Sequence, residues 1–278
     1  MADDSRQVRL FATCLADQFD PEAAMAAADV LEAAGCTVAF DAEQTCCGQP
    51  AFNLGHRDEA RQVALRHIRL YDGTTGPIIV PSGSCGSMMK VYWPTLFAAG
   101  SDERAAAERV AKRVEEWSRF LVRDLGWLPE RDAEAPERRV AYHPACHGLR
   151  VLGLDGEAER LLAATGHRLV PLPRADNCCG FGGGFSVEMP EMSGKILEDK
   201  LDCVEGATAS GAGTVAALDI GCLMHMRGGH ERRTGTTEGH GGCPAYRHVA
   251  VLVRDALRAR GERSDVAPGP RESAAGEP

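Results

Sequence analysis

Cysteine is the residue that stands out, because thiolates are the natural ligands of soft metals and iron–sulfur clusters. The chain carries 11 cysteines in 278 residues. Two pairs are adjacent, in Cys46-Cys47-Gly48 and Cys178-Cys179-Gly180. Neighbouring Cα atoms sit about 3.8 Å apart, closer than a relaxed disulfide allows. Each pair is therefore better suited to point two thiolates at one metal centre than to bond to itself. The odd total also excludes complete internal pairing. With no basic-then-apolar leader at Met1, disulfide scaffolding gives way to metal or redox chemistry, and a cytoplasmic location is the expectation.

The cysteines repeat. Cys14 stands 32 residues before Cys46, and Cys146 stands 32 before Cys178. Cys14, Cys46, Cys47 and Gly48 map onto Cys146, Cys178, Cys179 and Gly180 with a constant offset of 132, and Cys85 maps onto Cys222 with an offset of 137. A shared offset over four positions indicates duplication of a whole domain, with a five-residue insertion in the second copy. Each half thus offers four thiolates from three loops, the complement of a [4Fe–4S] cluster or a structural zinc. Cys36, Cys203 and Cys243 lack partners in the other half and read as packing residues in a strand, a helix and a loop. Cys243 is the one with some prospect of exposure and redox chemistry. His143, His147 and His225 flank the second set as candidate ligands or proton donors, packing being the simpler reading for each. His225 stands out as a possible extra ligand.

The elements that must position these residues follow from the pattern. Short apolar runs precede the cysteines: Val8–Ala12 before Cys14, Pro77–Val80 before Cys85, Arg139–Tyr142 before Cys146 and Thr214–Asp219 before Cys222. Helical stretches are expected at Glu22–Ala34, Arg57–Tyr71, Ala105–Leu125, Glu157–Thr165, Met189–Val204 and Arg247–Arg258. Alternating strands and helices predict an α/β fold, each half a small, mostly parallel sheet flanked by helices, with the cysteines at the C-terminal strand edge where such sheets bind ligands. The domains are expected at 7–130 and 138–260, joined through Pro129–Arg138 and followed by a disordered tail at 261–278. The polar stretch Gly228–Gly242 reads as a mobile surface loop. Gly180–Gly184 reads as a turn whose N–H groups could donate to cluster sulfurs.

Composition narrows the function. The net charge is −9, which argues against nucleic acid, and no apolar run is long enough to span a membrane. No G-x-G-x-x-G fingerprint follows the first strand, so no flavin or nicotinamide site is expected in this chain.

A lone cysteine, Cys-Cys-Gly about 32 residues on, and a later cysteine, all occurring twice, resemble the cysteine-rich CCG domain found in heterodisulfide reductase and in the iron–sulfur subunit of glycolate oxidase. The two-domain lactate utilisation protein A family is the closer likeness. The matching segments are Cys46–Ala51, Pro81–Cys85, His143–Cys146, Cys178–Gly183 and Phe185–Met189, and the likeness runs from about Val8 to Leu257. It implies a tandem CCG fold and an iron–sulfur subunit of a complex oxidising L-lactate to pyruvate. It implies as partners a ferredoxin-like iron–sulfur protein and a third small subunit, with a small 2-hydroxy acid as substrate. Cys14, Cys46, Cys47 and Cys85 would hold one cluster, and Cys146, Cys178, Cys179 and Cys222 the other. Arg150 and His147 are catalytic candidates, Arg150 as an anchor for the substrate carboxylate. The heterodisulfide reductase pattern ends each motif in C-x-x-C, but here Met88 and His225 occupy the last place. Four thiolates per half remain, which suit an ordinary cubane better than the split cluster of that enzyme. A glycolate- or disulfide-linked subunit is the alternative within the class. A zinc-bearing, redox-inert assembly scaffold is the alternative outside it, and zinc in one half only is a third case.

Overall fold

In the computed structural model the described residues are 6–130, 137–240 and 242–260. They build two four-stranded sheets of identical topology. The first contains β1 (Gln7–Leu10), β2 (Thr37–Phe40), β3 (Ile78–Val80) and β4 (Val114–Glu116) in the order β2-β1-β3-β4. The second contains β5 (Arg138–His143), β6 (His167–Leu169), β7 (Thr214–Ala217) and β8 (Ala245–His248) in the order β6-β5-β7-β8. Every pairing is parallel. The expected α/β duplication is therefore present, with sheets that are wholly parallel. The central strands are apolar because both their faces are covered by helices: Ile78, Ile79, Val80, Val215, Ala216 and Ala217 are all buried.

The halves are interlocked by exchange. The helix following β8, Val249–Ala259, packs on Pro21–Ala33 of the first half. In return, the helical turns following β4, Trp117–Arg119 and Phe120–Asp124, pack on Glu157–Ala164 of the second half. This reciprocity relates the halves as by a two-fold axis. One apolar core runs through the contact, joining Val30, Leu31 and Leu121 to Leu161, Val253 and Leu257. Trp117 donates its indole N–H to Ala27 O at 3.2 Å. Buried Glu157 takes an ion pair from Arg123 at 2.6 Å, and Arg254 pairs with Glu22 at 2.5 Å. His248 bridges the two halves. Its Nδ1 accepts from Ala250 N, so its Nε2–H is shared between Leu218 O at 2.9 Å and Pro81 O at 3.1 Å, which occupy equivalent places in the two halves.

Three expectations need correction. The stretch Ala105–Leu125 is not one helix: Asp102–Ala111 is helical, Val114–Glu116 is the edge strand β4, and a new helical segment starts at Trp117. Glu116 makes the break, because its carboxylate caps Ser118 and Arg119 N–H groups at 3.0 Å and so opens a helix instead of continuing one. Gly228–Gly242 is not simply a surface loop, because the helix Ile220–Thr234 runs through its first half and ends on Gly235 at φ 68°. That helix starts two residues before Cys222, and Gly229 faces Leu197 so closely that a Cβ there would lie 2.6 Å from its Cδ2. Cys243 is buried, not exposed, and its thiol faces Pro244 O. Cys36 is buried in the turn just before β2, and Cys203 lies buried in the helix Pro190–Ala209. The tail 261–278 and residues 131–136 of the expected linker lie outside the described residues.

Candidate functional site

All eight repeated cysteines come to the C-terminal ends of the two sheets and line a single cavity of about 340 Å³ between the halves. All 11 cysteines are free thiols. In the first half Cys14 opens the short helix after β1, Cys46 and Cys47 sit in the loop after β2, and Cys85 lies in the first turn after β3. Cys146, Cys178, Cys179 and Cys222 repeat this after β5, β6 and β7. A parallel sheet sends successive strands out on one edge, so three crossover loops converge there from each half.

The glycine of each Cys-Cys-Gly is required by its backbone. Gly48 has φ 89° and Gly180 φ 90°, a left-handed conformation that side chains resist. That conformation turns the Gly48 N–H onto Cys46 Sγ at 3.4 Å and the Gly180 N–H onto Cys178 Sγ at 3.3 Å. Buried side chains fix each loop from behind. In the first half His67 Nε2 accepts from Thr45 N at 2.9 Å and its ring stacks on Trp93, whose indole donates to Cys47 O at 2.9 Å. In the second half the buried ammonium of Lys200 donates to Arg174 O at 3.0 Å and Ala175 O at 3.3 Å. Gly183 lies in ordinary contact with Pro50 of the first half, and Gly184 lies so close to Leu54 that a Cβ there would push that side chain aside.

The thiols form two chains of close contacts. Cys47 Sγ lies 3.4 Å from Cys85 Sγ, and Cys179 Sγ 3.0 Å from Cys222 Sγ. Hydrogen bonds from Cys14, then Cys47, and from the Gly48 N–H hold the Cys46 thiol down to about 3. Cys178 is depressed in the same way by Cys146, Cys179 and Gly180. The donors Cys14, Cys47, Cys146 and Cys179 are pushed up in turn by these sulfur contacts and by burial. In the second half Cys222 is lowered as well, to about 7, chiefly by its hydrogen bond with Cys179. Each half therefore holds at least one thiolate inside a set of thiols that share its charge, ready to exchange protons for a soft cation. The thiol-rich, partly buried donor sets fit an iron–sulfur cluster or a zinc ion.

The remaining candidates separate. His147 lines the cavity, with Nδ1 3.6 Å from Cys146 Sγ. Arg150 does not line it: its guanidinium donates to Asp176 O at 2.8 Å on the exposed side of the π-helical turn Gly148–Leu152. His225 places Nε2 3.3 Å from Ser193 Oγ and packs on Phe181. His143 is the histidine that does join the sulfurs. One of its ring nitrogens and the Sγ atoms of Cys179 and Cys222 all lie within 4.8 Å of one another.

Sequence reasoning passes over Asp219. It is 4% exposed, lines the cavity, and accepts through Oδ1 from Ser82 Oγ at 2.7 Å and Ser84 N at 3.0 Å, across the halves. Its Oδ2 is buried with no hydrogen-bond partner. The 137-residue offset that pairs Cys85 with Cys222 also pairs Ser82 with Asp219, two residues at the mouth of equivalent helices, and this was the signal available. Among the described residues no helix is long and apolar enough to cross a membrane.

A tandem sheet with four cysteines at each C-terminal edge defines a class, and comparison names it: the cysteine-rich domain CCG matches residues 8–90 and again 140–227. Relatives narrow the class. Lactate utilization protein A of Anoxybacillus flavithermus is 40% identical over 227 residues, 81% of this chain and 92% of its own length. That of Exiguobacterium sp. is 40% identical over 223 residues, covering 80% and 89%. That of Shouchella clausii is 38% identical over 247 residues, covering 88% and 98%. The chain belongs to the lactate utilization protein A family.

Proposed function

We propose that this chain is the iron–sulfur subunit of a complex that oxidises L-lactate to pyruvate, with Cys14, Cys46, Cys47 and Cys85 holding one cluster and Cys146, Cys178, Cys179 and Cys222 the other. The observation that carries this reading is the convergence of two four-cysteine sets on one cavity. The names of the relatives supply lactate. Bound there, such clusters take up and release electrons one at a time. Oxidation of a 2-hydroxy acid releases two electrons and two protons, which suits two carriers within one chain. A ferredoxin-like protein and a third small subunit would complete the system.

The protein's own residues have definable parts in this scheme. The Gly48 and Gly180 N–H groups point at sulfur and stabilise its negative charge, which favours the more reduced state. Phe181, Val187, Leu15 and Ile220 line the cavity beside the sulfurs and lower its polarity. Asp219 and His147 are the ionisable side chains that line it besides the cysteines, and either is placed to take a proton from a substrate hydroxyl.

The test is iron, acid-labile sulfide and zinc content of anaerobically purified protein, followed by lactate and glycolate turnover with the partner subunits added. About eight iron and eight sulfide per chain are expected, as two cubanes require, with lactate the better substrate. Stoichiometric zinc without sulfide would instead make the chain a redox-inert scaffold. Turnover of glycolate alone would overturn the lactate assignment.

A further inference from the structure

The two cysteine sets match residue for residue, yet their surroundings do not. The offset of 132 that superposes Cys14 on Cys146 also superposes Phe11 on His143. Phe11 is fully buried just past the end of β1, in the apolar cluster with Cys47 and Cys85. His143 is the last residue of β5 and is 1% exposed. Neither of its ring nitrogens has a well-formed hydrogen bond, and the side chain it approaches is the Cys222 thiol, a contact that helps hold that thiol down. Buried polar atoms without a well-formed partner are rare and destabilising. The first half shows that a phenyl ring meets the packing need at this position without that cost. A histidine here needs a better partner than the loose contact with the Cys222 thiol that the protein atoms supply.

Its neighbours identify the partner. A ring nitrogen of His143 shares a 4.8 Å neighbourhood with the sulfurs of Cys179 and Cys222, a compact group of three metal-ligating atoms. Cys222 already touches Cys179, and Cys179 leads on to Cys178 and Cys146. His143 therefore extends the second chain of donors at its Cys222 end, where the first chain stops at Cys85. The other histidines are engaged differently: His225 lies against Ser193, and His147 lies at the opposite end beside Cys146.

We propose that His143 is a fifth donor of the second set, ligating through a ring nitrogen the metal centre that Cys179 and Cys222 help to hold, so that the two centres of the chain are chemically different. This rests on the reading that both sets hold metal. A neutral imidazole in place of, or beside, a thiolate leaves the centre less negative. The second centre then has the higher reduction potential, and electrons reaching the chain settle there.

The test uses the full chain, purified anaerobically, with iron, sulfide and zinc measured first. Protein labelled with ¹⁵N-histidine and unlabelled protein are reduced with dithionite and compared by pulsed EPR; a half that holds zinc is exchanged with Co²⁺ and measured in the same way. The expected result is one strongly coupled histidine nitrogen that changes with the label. It disappears in His143→Phe, which copies the first half, while the metal content of the first half is retained. Phe11→His is expected to introduce a second coupling. Metal centres in both halves with no histidine coupling, or a coupling that survives His143→Phe, overturn the proposal and leave the cluster reading intact. Absence of metal from both halves overturns both. The labelling comparison on the unaltered protein decides the matter even if the variants do not fold.

Discussion

Alanine at the two Cys-Cys-Gly glycines should separate backbone strain from steric overlap. Gly48 and Gly180 share the same φ within a degree, at 89° and 90°. Alanine in that region costs about 1–2 kcal/mol, partly offset by about 0.5–1 kcal/mol from a stiffer unfolded chain. Gly48→Ala adds little more, because its Cβ would stand 3.4 Å from Ala60 O and Val63 Cγ1. In Gly180→Ala the Cβ would lie 2.6 Å from Ser193 O and 3.2 Å from Leu197 N, both backbone atoms of one helix. Neither can rotate aside, so overpacking adds about 1–3 kcal/mol. Gly48→Ala should thus cost about 1 kcal/mol and Gly180→Ala about 2–4 kcal/mol. At about 2–4 °C per kcal/mol for a chain near this size, the melting points should fall by about 2–4 °C and by about 4–16 °C respectively. Calorimetry of the metal-free proteins under anaerobic reducing conditions measures both. Equal losses, or a larger loss for Gly48→Ala, would refute the steric argument.

Two further outcomes follow from buried carboxylates. Burial raises Glu116 from 4.5 to about 7, against the pull of its Ser118 and Arg119 hydrogen bonds. The folded chain then keeps a proton that the unfolded chain releases, so this group's contribution to stability falls as pH rises from about 4.5 to about 7 and is level above. The loss is on the order of 3 kcal/mol, and urea titrations across that range should show a shallower slope for Glu116→Gln; identical slopes would count against it. For Asp219, removal of the side chain strands the Ser84 N–H and leaves the Ser82 hydroxyl with Ser84 Oγ as its remaining acceptor. Asp219→Ala should therefore cost about 2–3 kcal/mol and Asp219→Asn less than about 1 kcal/mol, since the amide oxygen keeps both bonds. Urea unfolding compares them, and equal costs would show that the bonds across the halves contribute little.

The central strands and the cysteine edge were legible because burial on both faces writes them as apolar runs. Ile78-Ile79-Val80 and Val215-Ala216-Ala217 need no context to be read. Edge strands were not: Val114-Glu115-Glu116 is three residues long, largely acidic, and sits in a stretch of helix-favouring residues. Only its pairing with β3 and the capping role of Glu116 make it a strand. The spacing of the thiols pointed to two four-sulfur sets, and the constant offset to a duplication. It could not say that the two sets open on one cavity, because that depends on how the helices are exchanged. Nor could it weigh His143 against His225, since nearness in sequence to Cys222 favours His225 whereas the strand end brings His143 to the sulfur. A polar residue standing where its sister half has a buried Phe11 was the clue available.

The exchanged helices have a consequence for how the molecule can change. The arrangement is that of a symmetric dimer whose two protomers have become one polypeptide. In a dimer of identical chains every substitution is made twice, so a site and its mate must stay the same. Here each copy mutates alone while remaining locked to the other through a shared core. Phe11 against His143 and Glu116 against His248 are such divergences, the latter two occupying equivalent helix-opening positions with different chemistry. Covalent union also removes any dilution-driven parting of the halves. Direction can thus be built into a pair of sites that began as equals.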